Sequence, residues 1–377
     1  MRRITTLALA ALALAACADL EPTGPSAVAP LDVHLGADAV PGSYIVVMKA
    51  DADPVKVVQL AGTRAKHLYQ ASIRGFAADL TDRQLDEVRR HPDVAYVEMD
   101  RFMTFAPPCG TPAGGPCEGD GGGGGEVKPW GVTRVNGGVS GATGTAWVID
   151  TGIDLDHPDL KVDVARSANF VTKGKDSPDD GHGHGTHVAG TIAAIDNEID
   201  VIGVAAGATL VAVRVLDNSG SGSYSGVIAG VDYVGANGSS GDVANMSLGG
   251  PPSQALDDAV LKASQNGVRF ALAAGNDGAD ANNYSPARVN GTNIYTISAI
   301  ASSDCLTSWS NWGNPPVDYA EPGASILSTK KGGGTTTMSG TSMAAPHAAG
   351  LLLIGSIKSG GAACNDPDGN ADTIGVH

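Results

Sequence analysis

The chain has 377 residues, room for more than one domain and a substantial core. Hydrophobic residues make up 42% of it, aromatics 5%, and there are 52 glycines, a composition of tight turns and small-residue helix–sheet packing that excludes a disordered chain. The net charge of −16 argues against nucleic acid as a partner. The acidic excess lies from Glu126 onward, where it serves solubility, whereas Tyr44 to Phe105 is balanced.

Met1-Arg2-Arg3 followed by the apolar run Leu7 to Ala16, too short to span a bilayer, reads as an export signal and is left out of the fold. It ends in Leu14-Ala15-Ala16-Cys17. That stretch is either an ordinary cleavage site or a lipobox-like end in which Cys17 is lipidated. The second is preferred because the cysteine follows the apolar run directly, and it implies membrane anchoring before processing. Residues 1–17 are thus the signal and 18–42 a Pro/Ala-rich tether. Over 43–105, Tyr44 to Met48, Gly75 to Leu80 and Val94 to Glu98 read as strands, with a weaker one near His67 to Ser72. Pro54 to Ala65 reads as a helix, and Thr81 to Arg90 as a capped amphipathic helix. This order suggests a small α+β ferredoxin-like domain. Residues 106–125 end in five consecutive glycines and form an exposed linker and processing region.

Excluding Cys17 leaves Cys109, Cys117, Cys305 and Cys364, which allow three connectivities in an exported protein. Cys109–Cys117, within the linker, and Cys305–Cys364, tying down the C-terminal tail, are the preferred pairs. None sits in a nucleophile-like setting.

From residue 126 to 377 strand-like and helix-like runs alternate: Thr145 to Asp150, His184 to Ala194, Thr209 to Leu216, Tyr224 to Asn237, Val243 to Ser247, Pro252 to Asn266, Val268 to Ala274 and Ile294 to Ala299. The alternation predicts an α/β domain, a mostly parallel sheet with helices on both faces. Such sheets place their sites at strand C-termini and helix N-termini.

Three segments carry chemistry. Gly340-Thr341-Ser342-Met343-Ala344-Ala345-Pro346-His347 puts a serine at a loop-to-helix junction, beside the N–H groups and positive dipole end that suit a nucleophile generating an oxyanion. Alone, Ser342 reads equally as an N-cap. Ala146 to Gly152 is an apolar strand ending on Asp150. Gly181 to Thr191 is a glycine-rich loop entering a small-residue helix, with His182, His184 and His187 and the preceding Asp179 and Asp180. That histidine cluster could also hold zinc, but the spacing is irregular for such a site and a nucleophile loop accompanies it.

Together the Asp150, His184 and Ser342 segments resemble the three signature motifs of the subtilisin-like serine proteases, in that family's chain order. The resemblance implies a subtilisin-like fold over about 126–364, with Asp150 orienting the imidazole, His184 as general base and acid, and Ser342 attacking the scissile carbonyl. Phe270 to Asn276 resembles the segment that supplies the oxyanion donor, which assigns that role to Asn276. Residues 43–105 are similar to the family's inhibitor-type propeptide, whose end lies in the active site as a slow product. Gly220, Ser221 and Gly222, with Ser247, Leu248 and Gly249, resemble the two edges that pair with an extended polypeptide. Ser247 to Gly249 with Ala273, Ala274 and Gly275 would wall a first specificity pocket roomy enough for a large apolar side chain, with Asp277 at its rim. The insert Ile195 to Val201 resembles a calcium-binding loop. The implied ligands are the Asn197 side chain, the carbonyls of Ile195, Ile199 and Val201, Asp159, and Glu126 where the family has glutamine. The alternative is a solvated acidic loop. Asp366 to Asp372 has alternating oxygens but a misplaced glycine for an EF-hand and is left as a tail. Only 35 residues follow Ser342, so the family's C-terminal helices are expected to be reduced.

The leading reading is an exported, self-processing, monomeric serine endopeptidase of broad specificity, its mature N-terminus docking at the calcium site only after cleavage. The competing readings are a catalytically silent peptide-binding relative and a non-proteolytic metalloprotein.

Overall fold

The computed structural model describes residues 28–33, 36–104, 125–172, 174 and 176–377. The export signal, Cys17, residues 18–27, 34 and 35 of the tether, residues 105–124 and the Cys109–Cys117 pair lie outside the described residues.

The first unit contains β1 (Leu31–Asp32), β2 (Ala39–Met48), α1 (Pro54–Leu60), β3 (Ala65–Tyr69), β4 (Gly75–Asp79), α2 (Asp82–Arg89) and β5 (Val94–Thr104). Its sheet runs β1-β5-β2-β4-β3, antiparallel except for the β1–β5 pair. The β2–α1–β3–β4–α2–β5 order is ferredoxin-like, as expected from the sequence. Thr81 and Gln84 form the capping box that starts α2. α1 ends at Leu60, short of the expected Ala65, because the Gln84 amide takes the Ala61 and Gly62 carbonyls and the chain turns into β3. Val46, Phe76, Val88 and Val97 form the core between sheet and helices.

The second unit begins with α3 (Trp130–Arg134), β6 (Thr145–Asp150), β7 (Ala168–Asn169), α4 (His184–Ala193), β8 (Thr209–Arg214), β9 (Ser221–Ser223) and α5 (Tyr224–Asn237). It continues with β10 (Val243–Met246), α6 (Gln254–Ser264), β11 (Arg269–Ala273), β12 (Ile294–Ile300), β13 (Val317–Pro322), β14 (Ile326–Thr329), β15 (Thr335–Met338), α7 (Thr341–Ile354), β16 (Lys358–Ala362) and β17 (Thr373–Val376). The main sheet, β16-β17-β13-β12-β11-β10-β6-β8-β7, is parallel except for the terminal β16–β17 hairpin.

Every residue of β6 is buried, and its period of two serves two layers. Trp147 and Ile149 pack with Val231 of α5 and Leu256 of α6. Ala146 and Val148 face the other way, with Ile192 of α4 and Met343 of α7. After α7 the chain forms strands rather than helices, in line with the expected reduction. The acidic stretch left as a tail is built into the sheet instead: Asp372 is buried, accepts from the Ser298 hydroxyl and the Asn314 amide, and leads into β17. A disulfide joins Cys305 to Cys364, one of the two expected pairs, and anchors this end.

Candidate active site

Asp150 closes β6 and His184 opens α4, and both are fully buried. The His184 Nδ1 hydrogen donates to the Asp150 carboxylate, at 2.8 Å to Oδ1 and 3.0 Å to Oδ2, and Oδ1 also accepts from the Thr151 N–H at 2.7 Å. A Cβ on Gly185 would lie 2.0 Å from the Gly152 carbonyl oxygen, so only glycine lets the helix start approach the end of β6. Asp180 ties the two together. Its Oδ1 accepts from His182 N–H, Gly183 N–H and the Thr151 hydroxyl, while Oδ2 takes the Thr186 N–H and hydroxyl. Asp180, a metal candidate beside the histidines in the sequence, instead caps the start of α4. An aspartate a few residues ahead of a helix start was the available signal. His187 turns away, its Nε2 meeting the Ile326 carbonyl at 3.0 Å. Among the described residues no group of three His, Cys, Asp or Glu side chains forms a metal cage.

Ser342 stands in the first turn of α7, which packs against α4. Pro346 has no N–H to bond the Ser342 carbonyl four residues back. The Ser247 hydroxyl supplies the missing donor at 2.7 Å, and the Ser342 hydroxyl donates to the Ser247 carbonyl at 3.2 Å. Asn245 orients Ser247 through a 2.9 Å bond to its hydroxyl. Ser247, expected as a pocket wall, is therefore a brace for the serine, and Pro346 was missed. Asn276 follows β11, and its Oδ1 accepts from the Thr341 N–H at 2.8 Å and hydroxyl at 3.0 Å. This ties the Asn276 amide to the start of α7, and Asn276 and Ser342 line the same cavity.

A cavity of about 320 Å³ opens beside Ser342. Leu248, Gly249, Ala273, Ala274 and Gly275 line it, with Asn276 and Asp277 also on its wall. Gly222 and Ser221 lie on β9, which the end of β5 joins as an antiparallel strand: Phe102 pairs with Ser223, Met103 with Gly222 and Thr104 with Ser221. Gly220 precedes that edge, and Thr104 reaches the cavity. The first unit is held further by Asp232 of α5, whose Oδ1 accepts the N–H groups of Gln70, Ala71 and Ser72 at 2.7–3.0 Å.

The acidic insert also assembles. Asp159 is fully buried, its Oδ1 has no hydrogen-bond partner, and its Oδ2 accepts from the Val201 N–H at 3.3 Å. Burial pushes this carboxyl up to about 7. The Ile195 N–H donates to the Asp159 carbonyl and the Ile199 N–H to the Asn197 side chain. Glu126 Oε1 accepts from the Asn197 N–H at 2.6 Å and the Glu198 N–H at 3.2 Å. Docking of residue 126 therefore does not wait for cleavage, contrary to expectation.

Residues 147–356 match the model of the subtilase family, and residues 43–106 match that of peptidase inhibitor I9. Alkaline serine exoprotease A of Vibrio alginolyticus is 43% identical over 78% of this chain, which spans 54% of that protein's length. The extracellular serine proteinase of Thermus sp. (strain Rt41A) is 38% identical over 92% of this chain and 88% of its own. The crystal structure of a cold adapted subtilisin-like serine proteinase is 42% identical, covers 66% of this chain and 97% of that one, and superposes with a TM-score of 0.57. With these matches laid over a buried Asp–His pair, a serine at a helix start and an inhibitor strand in the cleft, the chain belongs to the subtilase family of serine proteases.

Proposed function

We propose that the protein is an exported, self-processing serine endopeptidase acting on extended polypeptides, with Asp150, His184 and Ser342 as its triad. The observation that carries this reading is the buried Asp150–His184 pair, held at 2.8 and 3.0 Å, with His184 on a helix packed against the one that carries Ser342 in its first turn. The Ser342 oxygen adds to the scissile carbonyl carbon while its proton passes to His184 Nε2, and Asp150 stabilises the imidazolium through Nδ1–H. The carbonyl oxygen, now negative, is met by Asn276 Nδ2 and the Ser342 N–H. Collapse breaks the C–N bond as His184 returns the proton to the leaving amine. Water then adds to the acyl-enzyme with His184 again as base, and Ser342 departs with the proton.

The strand that β5 adds to β9 supports an extended substrate running along Gly220 to Ser223, with backbone bonds giving sequence-tolerant affinity. The small-residue walls from Leu248 to Gly249 and Ala273 to Gly275 support a large apolar residue at P1. Residues 43–105 act as the intramolecular inhibitor, and cleavage falls in 106–125. Export agrees with the Thermus relative's description as extracellular. Lipidation of Cys17 would hold the precursor at a membrane until that cleavage.

A structural calcium ion fits the insert. Buried Asp159 Oδ1 lacks a partner, and the neighbouring donors are all oxygens: Asn197, Glu126 and the carbonyls of Ile195, Ile199 and Val201. The ion would neutralise the carboxylates of Glu126 and Asp159 and lock the insert.

Labelling the refolded protein with a fluorophosphonate and locating the adduct by peptide mass tests the assignment. An adduct on Ser342 is expected; the absence of any adduct from folded protein would leave a silent peptide-binding relative.

A further inference from the structure

We propose that Asn311 is a positioning residue of the oxyanion site, clamping the backbone on both sides of Asn276; this rests on the reading of Asn276 as the oxyanion donor. Asn311 is fully buried in the segment between β12 and β13. Its Nδ2 donates to the Ala274 carbonyl at 2.9 Å, and its own N–H donates to the Gly275 carbonyl at 2.9 Å. Its Oδ1 accepts from the N–H groups of Asp277 at 2.9 Å and Ala279 at 3.0 Å. These four bonds bracket residue 276 from before and after. All go to backbone, so Asn311 acts through Asn276.

The contact is also steric. Gly275 has φ +110°, and a Cβ built there would lie 2.3 Å from Asn311 Nδ2, so the amide is seated directly against that α-carbon. Thr341 holds the far end of Asn276 through Oδ1. The donor is therefore fixed twice, its side chain by Thr341 and its backbone by Asn311. An oxyanion donor contributes most when aligned before the charge develops, and a shift of its backbone weakens it in the transition state more than in the ground state.

The test measures Asn311→Ala, and the milder Asn311→Ser, with a chromogenic peptide. The expected result for Asn311→Ala is kcat lower by about 10–100-fold with KM within about threefold, and Asn311→Ser intermediate. Affinity for a peptidyl boronate should fall by the same factor as kcat/KM, while affinity for residues 43–105 stays unchanged. In an Asn276→Ala background, Asn311→Ala should add less than about twofold. A parent-like kcat in a folded variant, or a full additive loss in the Asn276→Ala background, overturns the proposal. If Asn311→Ala does not fold, Asn311→Ser alone decides, and a parent-like kcat there overturns it equally. An Asn276→Ala enzyme with unchanged kcat would instead show that the oxyanion reading itself has failed, whatever Asn311 does.

Discussion

Asp100, on the last strand of the inhibitor unit, caps the start of α5 at Ser225: its Oδ2 accepts the Ser225 hydroxyl at 2.6 Å and its Oδ1 the Ser225 N–H at 3.1 Å. Two residues earlier on β5, Glu98 Oε2 accepts the Ala255 N–H in the first turn of α6 at 2.9 Å. The period of two along the strand thus meets two helix N-termini, where negative charge is favourable. Replacing Asp100 by Ala in an inhibitor fragment of residues 43–105 should raise its inhibition constant by about tenfold, since a lost cap costs ~1 kcal/mol or somewhat more. Asp51→Ala, on an exposed turn, should change nothing. Equal inhibition by the Asp100→Ala and parent fragments would show that this contact contributes no affinity.

Ser342→Ala should abolish hydrolysis of casein and leave the precursor intact, because the attacking oxygen is gone. In the parent, N-terminal sequencing of the mature enzyme should find a start between Phe105 and Glu126. Thr104 already lies along the cleft edge, which brings the following residues toward Ser342. Processing of the Ser342→Ala chain by itself would sink the triad assignment.

Calcium should stabilise cleaved and uncleaved protein alike, because Glu126 reaches Asn197 in the intact chain. Excess chelator is expected to lower the thermal midpoint of both the mature enzyme and the Ser342→Ala precursor by roughly 5–10 °C, the effect of losing a ligand held well above its dissociation constant. Asp159→Asn should remove most of that response. A midpoint indifferent to chelator would exclude the ion.

Burial holds His187 and His347 neutral, pulling them down to about 3 and about 4 from the ordinary 6.5. Below pH 6.5 the unfolded chain takes up these protons and the folded one does not. Stability is therefore full above about pH 6.5 and is lost as pH falls toward the folded values, by roughly 3–5 kcal/mol for each ring. Asp372, raised to about 6 chiefly by burial, acts oppositely between about pH 4 and 6, so the rings must be separated by substitution. In a Ser342→Ala background, which prevents autolysis, His347→Gln should flatten the slope of unfolding free energy between pH 6.5 and 4 by about 1.4 kcal/mol per pH unit. An unchanged slope would mean that His347 protonates freely in the folded state.

The layered α/β domain, the small α+β unit ahead of it, and the segments that meet at the cleft are all legible in the sequence. These are written in local chemistry: a mostly apolar β6 ending on Asp150, a capping pair at Thr81 and Gln84, and a serine two residues after Gly340 entering α7. The remaining contacts depend on partners far apart in the chain. Ser247 braces Ser342 across 95 residues because Pro346 leaves a carbonyl without its helical donor. Asn311 grips the loop of Asn276, Asp372 is buried by Ser298 and Asn314, and Glu126 docks on the insert before any cleavage. Hydrophobic periodicity reports which face of an element is buried. It carries no record of which buried polar atom will satisfy which, and in this protein those pairings set the geometry of the site.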